Sequence, residues 1–403
     1  MITKTIKYTA LFLLLAGHVA IAQKATAFKP DKKLIKTFDQ NFIDAAAQYK
    51  LQMQNLPDGK FPKTFFPETG KYDYSNSNWW CSGFYPGTLL NLYEQTKDEA
   101  LYTEALRINE ILKKEQFNKG THDLGFMMFC SFGNANRINP KPEYKEVLIN
   151  SAKSLSSRFN PTVGCIKSWN SEIPDDYLVI IDNMMNLELL FWATKATGDS
   201  SFYKIAVSHA NTTIKNHFRS DYSSYHVVNY NITNGSVKQK RTAQGNADSS
   251  AWGRGQAWGL YGFTEVYRET KDKKYLDQAN HIANYLLSHP NLPADKIPYW
   301  DFNAPGIPNA LRDASAGAIM ASALIELSGY VDGALSKKYL VAAETMLRTL
   351  SSPAYKATAG TNGGFILQHS VGNLPKKSEV DVPLTYADYY YVEAMKRYKA
   401  LKK

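Results

Sequence analysis

Thr96-Lys97-Asp98, Thr197-Gly198-Asp199 and Thr270-Lys271-Asp272 are three copies of one turn, and their surroundings decide the fold. Each sits between two helical stretches. Each is followed by a large residue and then an alanine four positions on: Leu101 and Ala105, Phe202 and Ala206, Tyr275 and Ala279. Residues four apart share one face of a helix. The turn aspartate is an ordinary helix N-cap, accepting from a free backbone N–H of the first turn. A degenerate copy places Ser336 before Tyr339 and Ala343, and Pro142-Glu143-Tyr144 opens a further helix. The copies lie roughly 60 to 100 residues apart, longer than common solenoid repeats, because loops intervene. Five or six helix pairs in a closed ring would bury the alanine faces. The periodicity alone does not choose a ring over another helical array.

Working outward, Lys32 to Gln54 reads as a first amphipathic helix. Asn55 to Asn78 is rich in Pro, Gly, Tyr and Asn and reads as a loop. Trp79-Trp80-Cys81-Ser82-Gly83-Phe84-Tyr85-Pro86-Gly87 follows, with turn chemistry in its Gly and Pro residues, and Thr88 to Tyr93 is helical. Strand-like runs are few. Tyr225 to Tyr230 alternates, as does Gly364 to Leu367, and both read as loop strands. The chain is mainly α. No low-complexity linker divides it, so residues 23–403 are expected to form one domain.

The first 22 residues read as an export signal. Lys4 and Lys7 form a basic start, Thr9 to Ala22 is mainly apolar, and Val19-Ala20-Ile21-Ala22 supplies small residues for cleavage. The run is too short for a membrane span. No cysteine lies near the cleavage point, so no lipid anchor is expected. The mature chain is expected to be exported, to the periplasm in a Gram-negative host.

Three cysteines, Cys81, Cys130 and Cys165, are too sparse for a disulfide framework. Neither CxxC nor HExxH occurs, so no zinc site is expected, nor any organic cofactor. The formal charge of +10 can attract nucleic acid or an acidic small substrate. Lys238-Gln239-Lys240-Arg241 is short and reads as a solvated loop, so no nucleic-acid partner is expected. With 26 Tyr and 7 Trp, the chain can build a sugar cleft from flat rings with polar tips.

The acids that stand out are isolated ones. Asp182 lies in Ile180-Ile181-Asp182-Asn183-Met184-Met185-Asn186-Leu187, an apolar run of helical spacing. An N-cap on a core helix is one reading of it. Asp123, in His122-Asp123-Leu124-Gly125-Phe126, and the block Trp252-Gly253-Arg254-Gly255-Gln256-Ala257-Trp258-Gly259 favour the other, a site acid.

These three segments, with Pro383-Leu384-Thr385-Tyr386-Ala387-Asp388-Tyr389-Tyr390, resemble the unsaturated glucuronyl hydrolases, glycoside hydrolase family 88. The resemblance runs in order from about Trp79 to Glu393. It implies an all-α fold, an (α/α)6 barrel of six helical hairpins with the site at one open end. It also implies a substrate left by polysaccharide lyases, with a 4,5-unsaturated uronic acid at the non-reducing end. Such anionic disaccharides come from chondroitin, hyaluronan or heparin. Protonation of the enol ether at C4 spreads positive charge over C5 and the ring oxygen, and water adds at C5. The resulting hemiketal opens and the glycosidic bond is lost. This is not displacement at C1, so the carboxylate-separation rule for glycosidases does not apply.

By the same resemblance, Asp182 is the expected general acid and base, and Asp123 the second essential acid. His122 is expected to polarise or position, with a structural histidine as the alternative. Arg254 would bind the substrate carboxylate or bridge to an acid, since its fork suits both; a core-edge salt bridge is the alternative. Gln244 and His226 are expected at the substrate, and Trp80, Trp169 and Trp258 as stacking rings, with Trp79 a rival to Trp80. Lys376, Lys377 and Ser378 would meet a second sugar and its sulfate. Asp313 and Asp388 read as structural.

Rival readings are an unsaturated rhamnogalacturonyl hydrolase acting on pectin fragments, an ordinary inverting hydrolase, and a non-catalytic exported glycan-binding protein.

Overall fold

The computed structural model describes residues 28–173 and 175–401; the proposed export signal lies outside them. Twelve α-helices make up the described chain: α1 (Lys32–Asn55), α2 (Phe84–Thr96), α3 (Glu99–Leu112), α4 (Asn134–Ile138), α5 (Pro142–Ser156), α6 (Leu187–Thr197), α7 (Ser200–His217), α8 (Gly253–Thr270), α9 (Lys273–Ser288), α10 (Ala314–Ser328), α11 (Gly333–Leu350) and α12 (Thr385–Ala400). A π-helical run, Gly125–Gly133, leads directly into α4.

Composition sorts the helices into two layers. In α10 every residue but Glu326 is buried, and in α8 burial is unbroken from Gly253 to Val266. A helix apolar on all sides belongs inside. By contrast, α9 buries one stripe, with Tyr275, Gln278, Ala279, Ile282, Ala283 and Leu286 at helical spacing. The inner ring closes: α2 packs on the π-run, the π-run on α6, then α8, α10, α12 and back to α2. Outside, α1, α3, α5, α7, α9 and α11 cover the gaps. This is the (α/α)6 barrel.

The repeated turn makes each hairpin. Lys97, Gly198 and Lys271 all take left-handed φ, at 60°, 77° and 56°, and their N–H groups close the inner helix on Tyr93, Thr194 and Tyr267. One residue on, Asp98, Asp199 and Asp272 accept from the second N–H of the outer helix at 3.1, 2.8 and 3.1 Å. The large-residue and alanine pairs that follow are all buried. A buried side chain such as Phe202 or Tyr275 contributes about 2 kcal/mol through its apolar area.

Four expectations need correction. Asn55 to Asn78 is not simply a loop: β1 (Phe61–Phe66) and β2 (Lys71–Ser75) pair in it as an antiparallel hairpin. Lys238 to Arg241 is not a free loop either. It falls in β7 (Val237–Arg241), the third strand of a sheet ordered β5 (Asp176–Ile180), β6 (Val227–Asn231), β7. Gly364 to Leu367 is not a strand. Gly364 ends a 3-10 turn, Asn362–Gly364, and of the rest only Leu367 bridges, to Lys356. Ser336 stands inside α11 and not in the turn before it: Asp332 precedes α11, and Ser336 Oγ donates to the Ser328 carbonyl at 2.9 Å. Two minor strands, β3 (Phe159–Asn160) and β4 (Cys165–Ile166), pair with each other, as do β8 (Ser370–Asn373) and β9 (Ser378–Val382). The three cysteines are free thiols.

Candidate active site

The inner helices begin at one end of the barrel, and a cavity of about 730 Å³ opens there. Trp79 and Trp80 precede α2, Asp123 and Phe126 flank the start of the π-run, and Asp182 precedes α6. Arg254 and Tyr386 stand in the first turns of α8 and α12. Helix N-termini carry partial positive charge, so this end of the ring favours an anion.

Asp182 is not a helix cap. It lies inside a 3-10 segment, Ile181–Asn186, whose N-terminal flank is Ile180, and no side chain caps that segment. Its carboxyl is nine-tenths buried and Oδ2 has no hydrogen-bond partner. Burial pushes its pKa up to about 7, against the pull of Arg254 and with help from Asp123. Asp123 is raised to about 7 as well, by burial that outweighs its hydrogen bond from Thr121 (3.2 Å). The charge of Asp123 thus bears on the titration of Asp182.

The two motifs that carry these acids interlock. Gly125 leaves no room for a side chain: a Cβ there would stand 2.5 Å from Asn186 Cα. Asn186 Oδ1 in turn accepts from the Phe126 N–H at 2.9 Å. On the other side, Gly262 of α8 packs against Met184, where a Cβ would approach to 2.5 Å. Asn183 Nδ2 donates to the Ile166 carbonyl at 2.9 Å. The Asp182 turn is therefore clamped by the π-run, α8 and β4.

Two neutral histidines face the acids with opposite polarity. His122 Nδ1 lies 2.9 Å from the Ser168 carbonyl and must donate to it. That leaves the Nε2 lone pair 3.3 Å from Asp123 Oδ1. His226 Nδ1 accepts from the Ala243 and Gln244 N–H groups, both at 3.2 Å. Its proton is therefore on Nε2, 3.9 Å from Asp182 Oδ2. Burial, aided by Arg158 for the first and Arg254 for the second, lowers both histidines to about 3.

Arg254 is fully buried, and its guanidinium reaches Asp313 (3.2 Å) and the Val371 and Gly372 carbonyls (2.6 and 2.8 Å). It borders the cavity and also makes the salt bridge that was its alternative reading. Asp313 accepts from Ser315 N–H as the cap of α10, so it is structural twice over. Asp388 accepts from the Ile366 and Leu367 N–H groups, both at 2.9 Å, and is structural too. Gln244 lines the cavity and donates to the Gly372 carbonyl at 3.1 Å.

Of the expected residues, His122, Asp123, Asp182, Trp80, Trp169, Gln244, Arg254, Lys376 and Ser378 line the cavity, as does Trp79. Three do not. Trp258 is wholly buried beneath the floor, against Phe126 and Tyr390. His226 sits behind Asp182, with Trp169 on its edge and Trp252 on its face. Lys377 occupies the β8–β9 turn with φ of 51° and is exposed outside the cavity lining. Five lining residues with polar side chains are not among those expected: Lys63, Arg241, Asn373, Glu379 and Tyr386. Tyr386 lies in a quoted motif; the others lie on hairpins and strands whose sequence reads as loop. Lys63 reaches Asp73 (2.8 Å) and Glu379 (3.8 Å). Among the described residues, no group of three or more His, Cys, Asp or Glu is arranged to hold a metal ion.

Comparison with known proteins agrees with this architecture. Residues 45–401 match the family model for Glycosyl Hydrolase Family 88. An unsaturated glucuronyl hydrolase of Formosa agariphila is 50% identical over 321 residues, 79% of each chain. An unsaturated chondroitin disaccharide hydrolase of Streptococcus pneumoniae is 33% identical over 334 residues, 81% of this chain and 83% of its own. The crystal structure of an unsaturated glucuronyl hydrolase specific for heparin superposes with a TM-score of 0.88 at 47% identity, covering 91% of this chain and 98% of that one. The chain is a glycoside hydrolase and belongs to Glycosyl Hydrolase Family 88.

Proposed function

We propose that this enzyme removes the 4,5-unsaturated uronic acid from the non-reducing end of lyase-generated glycosaminoglycan oligosaccharides. The observation that carries the reading is the Asp182 carboxyl. It is buried, without a hydrogen-bond partner at Oδ2, and raised to about 7 on the floor of an anion-favouring cavity. A group half protonated near neutral pH is matched to both giving and taking a proton.

Asp182 delivers its proton to C4 of the enol ether. Positive charge then spreads over C5 and the ring oxygen, beside the carboxylate just formed, which the His226 N–H steadies. Water adds at C5 and returns a proton to Asp182. The hemiketal opens at the bond from C5 to the ring oxygen, and C1 then releases the remaining sugar. Asp123, against the His122 lone pair, orients substrate hydroxyls or the water. The cavity wall carries four cations, Lys63, Arg241, Arg254 and Lys376, against three carboxyls, two of them largely protonated below pH 7. That balance attracts a uronate. Lys376 and Ser378 at the rim are the proposed contacts to a second sugar and its sulfate. Replacing Lys376 with Ala should impair sulfated substrates selectively; equal loss on both kinds would remove that assignment.

The deciding experiment follows ultraviolet absorbance of unsaturated chondroitin and heparin disaccharides with the purified enzyme. Loss of the double-bond band, abolished in Asp182→Asn, is expected. Persistence of the band on these substrates but loss on unsaturated pectin fragments would move the enzyme to the rhamnogalacturonyl reaction. Export through residues 1–22 is proposed with it, and fractionation of the native host tests it: enzyme retained in the cytoplasm at full length would overturn it.

A further inference from the structure

Beside the cavity runs a shallower recess of about 240 Å³, lined by Lys63, Tyr74, Ser75, Asn76, Asn78 and Trp79. Lys63 and Trp79 border both, so the recess extends the mouth along the β1–β2 hairpin. Its chemistry differs from the cavity's: no carboxylate lines it. Trp79 is 42% exposed, and Lys63 Nζ lies 5.4 Å from its ring centroid. Tyr74 is pinned by a hydrogen bond from its hydroxyl to the Asn55 carbonyl (2.7 Å) and stacks on Tyr72. The exposed Asn76 side chain accepts from Lys60 Nζ at 2.8 Å. Lys60 has no carboxylate partner among the described residues. Flat rings, amides and, in Lys60, a cation without an opposing acid make a surface for a sugar that carries negative charge.

Lys63 and Trp79 also border the catalytic cavity, but the main reaction has no use for Lys60, Tyr74, Asn76 and Asn78. We propose that the recess holds the third sugar of a longer substrate, a uronate, and that the enzyme therefore prefers tetrasaccharides to disaccharides. The proposal rests on the reaction assigned above. In a chain alternating uronic acid with hexosamine, the unsaturated end fills the cavity and the hexosamine fills the mouth. The third unit again bears a carboxylate, and the recess meets it with Asn76 and Asn78, backed by Lys60, whose Nζ holds Asn76.

The test compares kcat/KM on an unsaturated disaccharide and on the matching unsaturated tetrasaccharide, by loss of the double-bond absorbance. Wild type should favour the tetrasaccharide. Lys60→Ala, alone and with Asn76→Ala, should lower the tetrasaccharide value roughly two- to five-fold, as for an exposed ion pair, and leave the disaccharide value unchanged. That preference should shrink as salt is raised. A tetrasaccharide-to-disaccharide ratio that the variants do not move, or a wild type that turns over only the disaccharide, overturns the recess assignment and leaves the reaction standing. A wild type inert on both substrates instead fells the reaction, and the recess assignment with it.

Discussion

Asp182 and Asp123 are both raised to about 7, yet their neighbours differ: one faces a histidine N–H, the other a histidine lone pair. Asp182→Asn should cut kcat by about 10²- to 10⁴-fold, the range for a general acid and base, with the circular dichroism spectrum unchanged. A loss below tenfold would show that another group moves the proton. Asp123 contributes to raising Asp182. In Asp123→Asn that contribution is gone, so the Asp182 carboxyl should titrate at lower pH, as read by carbon-13 NMR of labelled aspartate. An unmoved or raised titration would show that the two acids are not coupled. The acids themselves were legible because their motifs are short and continuous. Their acidity was not, since it comes from burial under residues far apart in the chain. Trp258 misled for a related reason: a tryptophan that stacks on sugar and one that packs on Phe126 look alike in sequence. Arg241 was lost among neighbouring cations until β7 turned it to the cavity.

The elements that sequence revealed best are those closed by local chemistry. The hairpin turns need only a left-handed residue and a capping aspartate, and both are written within three positions. Asp199→Ala should therefore cost about 1 kcal/mol in urea unfolding and leave kcat unchanged; a change in kcat would mean that the turn communicates with the site. Gly125→Ala should behave differently. Its new methyl would meet the Asn186 backbone at 2.5 Å, an overpacking that costs about 1 to 3 kcal/mol, and kcat should fall with stability. Full activity in that variant would refute the interlock of the two motifs. Elements closed by distant partners were hidden. The β1 strand carries Pro62 and a register shift beside it, which spoils alternation. Ile366 and Leu367 give their N–H groups to the Asp388 carboxylate, so an apolar run that reads as a strand has no strand partner.

The whole barrel places a second charged group away from the cavity, where Glu188, Glu265, Glu269, Glu326 and Glu393 meet Arg268, Arg397 and Lys195. Glu265, on α8, is 3% exposed; among the described residues it makes no ion pair and its Oε2 has no partner. Burial, then the charges of Glu188, Glu326 and Glu393, raise its pKa well above the ordinary 4.5, with only Arg268 opposing. A carboxyl raised in the folded state favours folding least at high pH. Below about 4.5 both states are protonated; above it the unfolded chain ionises first and stability falls. Glu265→Gln should therefore raise Tm at pH 8 and leave it unchanged at pH 4. A Tm that drops at pH 8 would show that the ionised form is the one the barrel holds. The ring has a further consequence. The Asp31 N–H at the head of α1 donates to the Tyr398 hydroxyl in α12 at 2.9 Å, so first and last helices are neighbours. A closed circle has no privileged starting point. The same helices read in rotated order, with α12 spliced to α1 and the chain opened at Gly198, should reach the same catalyst, because termini that lie together tolerate permutation. On that expectation the cyclic order of the hairpins specifies the barrel, and the point at which the circle is opened does not.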